Sequence, residues 1–238
     1  MSNYTSNDIV NAIARAAKTL DARKDEINRL NVFPVPDGDT GTNMSLTLAM
    51  VVENLAALPI GATSAEKRHA VTTGALMGAR GNSGVITSQI LRGLCEGFEG
   101  HDAFDVASVD AAFARAVEVA FNAVRKPVEG TILTVLRDTA AGAKYARKKK
   151  MDLEEALQYI VGEAYASVQR TPDLLPVLKE NGVVDAGGFG LAIFFDSFVS
   201  ALTGRSESLG DELSFARGSA PKVEIEQIND WEGSAYMY

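Results

Sequence analysis

Cysteine is nearly absent from this chain. Cys95 is the only one in 238 residues, so no internal disulfide can form, and a reducing, cytoplasmic setting is expected. Histidine is almost as scarce: His69 and His101 lie in polar surroundings and read as surface residues rather than ligands. A basic excess is also missing. With 23 Lys and Arg against 31 Asp and Glu, the net charge is −8, which excludes a generic nucleic-acid or anionic-membrane surface. It does not exclude a nucleotide, because a bound magnesium ion neutralises phosphate locally. No apolar run approaches the roughly 18–20 residues of a membrane span, and the polar start Met1-Ser2-Asn3-Tyr4 lacks the apolar core of a signal peptide. Alternation with period 2 is almost absent too, which leaves little room for strands.

What is present is helical periodicity near 3.6. Ser6 or Asn7 can cap a helix carrying Ile9, Ile13, Ala16, Ala17 and Leu20 and continuing toward Ile27 and Leu30. Pro34 and Pro36 forbid helix from Asn31 to Asp39. Helix is expected again from Asn43 to Leu55, from Ser64 to Leu76, from Ile86 to Phe98, from Val109 to Val124 and from Thr131 to the basic run Arg147–Lys150. That run reads as a solvated helix end. Asp152 caps the following helix, Thr171-Pro172 reads as the cap and first turn of a short one, and Leu191–Leu202 is apolar almost all round, as a central helix would be. The expected class is all-α, with about nine helices in residues 1–204 and a polar linker or tail in 205–238 that can lead to further domains of a longer protein.

Four loops are rich in Gly, Asp, Asn, Ser and Thr: Pro36–Asn43, Gly78–Gly84, Val128–Thr131 and Gly182–Gly190. In a helical barrel or bundle such loops can meet at one end as a polar mouth on an apolar body. In the first, Asp37 and Asp39 sit two apart on a proline-stiffened extended segment, so both carboxylates can reach one cation. Magnesium favours one or two carboxylates plus phosphate oxygens. Gly38 and Gly41 allow close backbone approach, and Thr40, Thr42 and Asn43 add hydroxyl and amide groups. A helix starts immediately afterwards, and its free first-turn N–H groups are expected to point where a phosphate would sit. The competing reading is a turn whose aspartates cap that helix.

Other motifs fail on this stretch. An EF-hand would need an acidic ligand where Gly41 stands and a Glu where Leu48 stands. No glycine loop supplies the Gly-Lys-Ser/Thr of a P-loop. An aspartyl-phosphate nucleophile normally follows a buried strand, which Phe33-Pro34-Val35-Pro36 cannot be. In the second loop, Arg80, Asn82, Ser83 and Gly84 suit a phosphate, but the segment also reads as a plain helix–helix connection. The same two readings hold for Asp185-Ala186-Gly187-Gly188, and Glu129 is either catalytic or a turn residue.

Pro34-Val35-Pro36-Asp37-Gly38-Asp39-Thr40-Gly41-Thr42-Asn43-Met44, followed by Gly78–Gly84 and Gly182–Gly188, resembles the DhaL-type nucleotide-binding domain. More narrowly, it resembles the N-terminal domain of the ATP-binding subunit of bacterial fatty acid kinase, over roughly residues 5–204. The resemblance implies a barrel of about eight antiparallel helices with ATP or ADP and two magnesium ions at one end. It implies Asp37 and Asp39 as metal ligands and catalytic centre. The third aspartate of the dihydroxyacetone-kinase branch falls at Asn31 or Val32, where Asn31 would offer a neutral oxygen. Thr40, Gly41, Thr42, Asn43, Arg80, Asn82, Ser83 and Gly84 would lie along the phosphates. Thr131 and Ile132 would meet the adenine, and Asp185 with Gly187 would close over the nucleotide.

The implied reaction moves the γ-phosphoryl group to a fatty acid carboxylate presented by a separate fatty-acid-binding carrier protein. Such a carboxylate is already ionised at neutral pH, so no general base is needed. A dihydroxyacetone-kinase-type subunit and a non-catalytic nucleotide module are the alternatives. No nucleic acid or membrane insertion is expected, and a homodimer is the assembly left open.

Overall fold

A computed structural model describes residues 4–101 and 103–205. Among them ten helices follow one another without a strand: α1 (Ser6–Ala22), α2 (Lys24–Arg29), α3 (Thr40–Ala56), α4 (Ser64–Gly78), α5 (Gly81–Gly97), α6 (Val106–Ala123), α7 (Ile132–Lys149), α8 (Leu153–Leu174), α9 (Pro176–Asn181) and α10 (Ala186–Thr203). The all-α expectation holds. The expected tail at 205–238 falls, beyond Arg205, outside the described residues.

Eight of the helices run 15–22 residues, and these eight form a closed ring. Each packs on the next in chain order, α10 follows α8, and α10 closes back on α1. Short connections favour antiparallel packing of most neighbours, and the short helices α2 and α9 bridge α1 to α3 and α8 to α10. Glycines let two of the pairs touch backbone to backbone. A Cβ on Gly74 or Gly78 of α4 would lie 2.7 Å from Met50 of α3, and one on Gly93 of α5 would lie 2.5 Å from the Cα of Ala116 in α6.

Local capping fixes where the helices start, often one residue from where composition alone suggests. Thr5, not Ser6 or Asn7, caps α1 in a capping box with Asp8, and Thr63, not Ser64, caps α4 with Glu66. Asp105 caps α6, which starts at Val106, three residues ahead of Val109, and Asp152 caps α8 as read. The helix expected from Ser6 to Leu30 is broken at Arg23 (φ −107°, ψ 7°). That break turns α2 across α10: the Arg23 guanidinium lies 5.3 Å from the Phe189 ring centre and donates to Glu26 at 2.8 Å.

Thr171-Pro172 does not start a helix. Both residues lie inside α8, where Pro172 cannot donate to the Val168 carbonyl, and the Thr171 hydroxyl donates to it instead at 2.7 Å. Pro176 takes the first position of α9.

The central helix is α10, and it begins at Ala186 rather than after a long glycine loop. By length and composition it is long enough and apolar enough to cross a membrane, but most of it is buried in the protein. Phe189, Leu191 and Ile193 are within 2% of complete burial, each contributing about 1.5–3 kcal/mol of transfer free energy. Asp196 interrupts this apolar surface; it accepts from the Tyr165 hydroxyl at 3.2 Å and pairs with Arg205. Inside the ring an apolar cavity of about 230 Å³ lies among Ile13, Leu91, Phe113, Leu157 and Phe195, away from the glycine-rich loops.

Candidate functional site

The up-and-down course brings the ends of α1, α4, α6 and α8 to the same end of the ring as the starts of α3, α5, α7 and α10. The four polar loops identified from sequence therefore share one end. Two contacts show how closely. Gly81, the first residue of α5, has φ +56°, and a Cβ there would lie 2.3 Å from the Asn43 side-chain nitrogen. A Cβ on Gly190 in α10 would lie 2.7 Å from the Met44 sulfur of α3.

The acidic segment is built on α2 and α3. Asp39 occupies the N-cap position of α3, yet its carboxylate makes no capping hydrogen bond. The cap is supplied from α2. Asn28 Oδ1 accepts from the amides of Gly41 (2.8 Å) and Thr42 (3.1 Å), and its Nδ2 donates to the Thr42 hydroxyl at 3.0 Å. The turn-and-cap reading of Asp39 is thereby replaced, and so is the expectation of free first-turn amides, since those of Gly41 and Thr42 are in use. Gly41 is small because α2 runs against it: a Cβ there would lie 2.3 Å from the Lys24 carbonyl oxygen.

Asp37 is exposed, and Asn31, 7% exposed, donates its Nδ2 to Asp37 Oδ1 at 2.7 Å. The carboxamide nitrogen, not its oxygen, thus faces the aspartate. Partial burial holds the Asp39 carboxyl above the usual carboxylate range; an Asn43 hydrogen bond opposes this and the charge of neighbouring Asp37 adds to it. Two carboxylates close enough to repel supply oxygen donors of the kind a hard cation such as magnesium takes, while Asn31 presents an N–H that orients Asp37 rather than a ligand oxygen. Among the described residues no cluster of three His, Cys, Asp or Glu competes with it.

On α5, Gly81 and Asn82 are exposed, Ser83 is half-buried, and Gly84 is buried against Thr47. The exposed Arg80 folds back on the helix end before it: its guanidinium donates to the carbonyls of Met77 (3.1 Å) and Ala79 (2.8 Å) at the end of α4. The third group joins α7 to α10. Thr131 is the N-cap of α7 and donates its hydroxyl to Val128 at 2.8 Å, while a Cβ on Gly187 would lie 3.2 Å from Ile132 Cβ. Glu129 is locked by Arg137 (2.8 Å) and by the Thr134 hydroxyl (2.9 Å), and Arg137 holds its carboxyl below the usual range.

Asp185 caps α10, accepting from the Gly188 amide at 2.7 Å, and its own amide donates to Thr171 at 3.0 Å. Burial raises its carboxyl to about 6 against hydrogen bonds from Gly188 and Ile132 that lower it. With the folded value above the ordinary 3.8, the folded state holds a proton that the unfolded chain releases, so this group favours folding at low pH and the advantage is lost as pH rises through 6. Asp185→Asn removes the titration and keeps a capping oxygen. Between pH 7.5 and pH 5 the wild type is expected to gain about 1.4 kcal/mol of stability relative to the variant, read by urea unfolding at both values. Parallel curves for the two proteins would contradict this placement.

Sequence reasoning passed over Asn28. Its only signal is an asparagine one helical turn ahead of Asn31 at the end of an apolar periodic stretch, and its partners lie 13 and 14 residues away.

The DAK2 domain matches residues 34–200. An uncharacterized protein of Staphylococcus saprophyticus is 46% identical over 199 residues, covering 82% of this chain and 35% of the relative. One of Staphylococcus haemolyticus is 45% identical over 197 residues, with the same coverage of 82% and 35%. The chain thus spans about 35% of the length of these curated relatives. Among solved structures, dihydroxyacetone kinase from C. freundii in complex with AMP-PNP and Mg2+ superposes with a TM-score of 0.61 at 17% identity, over 84% of this chain and 35% of that one. Its native form gives 0.58 at 16%, with the same coverage of 84% and 35%. At that identity the likeness is one of fold.

Proposed function

The chain belongs to the DAK2 domain family, and from that premise we propose that it is the magnesium–ATP-binding part of a phosphotransferase whose acceptor is a fatty acid carboxylate held by a carrier protein. The observation that carries the reading is the freed carboxylate pair. Asp37 and Asp39 stand at the end of the ring where α3, α5, α7 and α10 begin, and neither caps the helix beside it.

Asp37 and Asp39 would hold magnesium, which when bound supplies charge neutralisation for the phosphates. Asn43, Ser83 and the first turn of α5 would flank the phosphate oxygens, with Thr131, Ile132, Asp185 and Gly187 around the base. What this chain contributes is alignment and exclusion of water, the main requirements of phosphoryl transfer. A carboxylate acceptor suits the site because the Glu129 carboxylate is tied to Arg137, and no histidine lies in the four loops. The carrier and the rest of a longer polypeptide would complete the enzyme.

The fold shared with dihydroxyacetone kinase supports a second reading, transfer to a small hydroxyketone. Radiolabelled γ-phosphate from ATP distinguishes the two when the full-length protein is offered a fatty-acid-loaded carrier or dihydroxyacetone. Label on an acyl phosphate is the expected result. Label on dihydroxyacetone alone overturns the acceptor, and no transfer to either overturns the kinase reading.

A further inference from the structure

At the N-terminus of a helix, an aspartate usually turns its carboxylate back onto the first-turn amides. At α3 that geometry would spend Asp39 on structure. Asn28 prevents it by occupying both amides, Gly41 and Thr42, from the neighbouring helix. Three residues further on, where the Asn31 amide donates back to the Asn28 carbonyl at 3.1 Å, a second asparagine grips Asp37. The two side chains thus hold the acidic segment at its two ends, with Asp39 between them. The clamp cannot slide, because Gly41 leaves no clearance against the Lys24 carbonyl.

We propose that Asn28 is a positioning residue of the site: it takes over the capping of α3 so that the Asp39 carboxylate stays directed to a cation, while Asn31 fixes the angle of Asp37. The inference rests on the magnesium–ATP reading above. Asn28 itself touches neither metal nor nucleotide; it acts through the first turn of α3. Its carboxamide matches the task in a way that no hydrocarbon does, since one oxygen takes two amides and the nitrogen orients the Thr42 hydroxyl.

The test compares wild type, Asn28→Leu and Asn28→Asp as the 238-residue chain. ATP titrations with and without magnesium give the enhancement that magnesium confers on ATP affinity, and hydrogen exchange reports the Gly41 and Thr42 amides in the metal-free protein. Asn28→Leu leaves two amides unpaired and frees them to recruit Asp39, so the magnesium enhancement should fall by about tenfold or more while magnesium-free ATP binding is unchanged. Asn28→Asp keeps the accepting oxygens and should restore the enhancement. Equal losses with and without magnesium in Asn28→Leu would mean a merely structural residue, and a full enhancement in that variant would mean none at all. Either overturns the proposal.

Should Asn28→Leu fail to fold, the wild type still decides. Gly41 and Thr42 amides must be more protected than those of Gly38 and Asp39, and equal exchange refutes the clamp. A wild type whose ATP affinity ignores magnesium fails differently: protected amides would then show a clamp with no metal site to serve, and both this inference and the reading beneath it fall.

Discussion

Asp39→Ala is expected to abolish magnesium-dependent ATP binding, with a loss of about 100-fold or more, while helical content measured by circular dichroism stays unchanged. The two halves of this expectation come from different parts of the structure. Binding depends on Asp39 because it is one of only two carboxylates on the acidic segment, and it is half-buried where its charge acts at short range. Folding does not depend on it, because the first turn of α3 is capped by Asn28 and Asp39 contributes no capping bond. A cap residue would show the reverse pattern, with a stability loss of about 0.5–2 kcal/mol on truncation to alanine. Asp37→Ala should behave like Asp39→Ala in binding and cost about 1 kcal/mol of stability, since the buried Asn31 amide loses its acceptor. Normal magnesium dependence in either variant would remove the metal assignment.

Gly41→Ala should do damage of the opposite kind, to stability and site together. The new methyl group would lie 2.3 Å from the Lys24 carbonyl oxygen and 2.9 Å from Ile27 Cβ, with backbone on both sides. Neither helix can yield by a rotamer change, so α2 and α3 must separate and the Asn28 bonds must lengthen. A cost of about 3 kcal/mol follows from overpacking of this kind, which for a domain of this size lowers Tm by about 6–12 °C. The folded remainder should also lose magnesium-dependent binding. Gly162→Ala is the matched control. That glycine lies in mid-helix on the exposed face of α8 with nothing near its Cβ, so alanine there should stabilise by up to about 1 kcal/mol. Thermal unfolding of the two variants side by side separates a packing effect from helix propensity. Similar Tm values for Gly41→Ala and wild type would contradict the packing of α2 on α3.

How much of this was legible in the chain depends on the range of the interaction. Helix periodicity is local, so the all-α class and the central position of residues 191–202 could be read directly. Caps are also local but degenerate. Thr5 and Thr63 stand next to Ser6 and Ser64, which have the same chemistry, and only the i+3 partners Asp8 and Glu66 select between them. Proline was misread at Pro172 because a threonine hydroxyl one residue earlier satisfies the carbonyl that the ring leaves unpaired. Glycines were read as loop formers, whereas Gly81, Gly84, Gly187 and Gly188 lie in first helical turns, where close packing requires them.

The acidic segment at 34–43 was legible for a different reason. Two prolines, two aspartates and two glycines within a few residues constrain both backbone and chemistry, so the segment identified itself before any fold was known. Its supports did not. Asn28 reaches across to another helix, and nothing in its immediate neighbours distinguishes it from a solvent-facing asparagine. Arg80 is the opposite case. A cation beside a glycine loop invites a phosphate assignment, but the same guanidinium satisfies the open carbonyls at the end of α4.

We propose that this end of the helical ring is a magnesium–nucleotide site. Calorimetric titration of the 238-residue chain with ATP, in the presence and absence of magnesium, tests it most directly. Saturable one-site binding that magnesium strengthens is expected, with loss of that strengthening in Asp39→Ala. Binding of equal affinity with and without magnesium, or none in either condition, would contradict it.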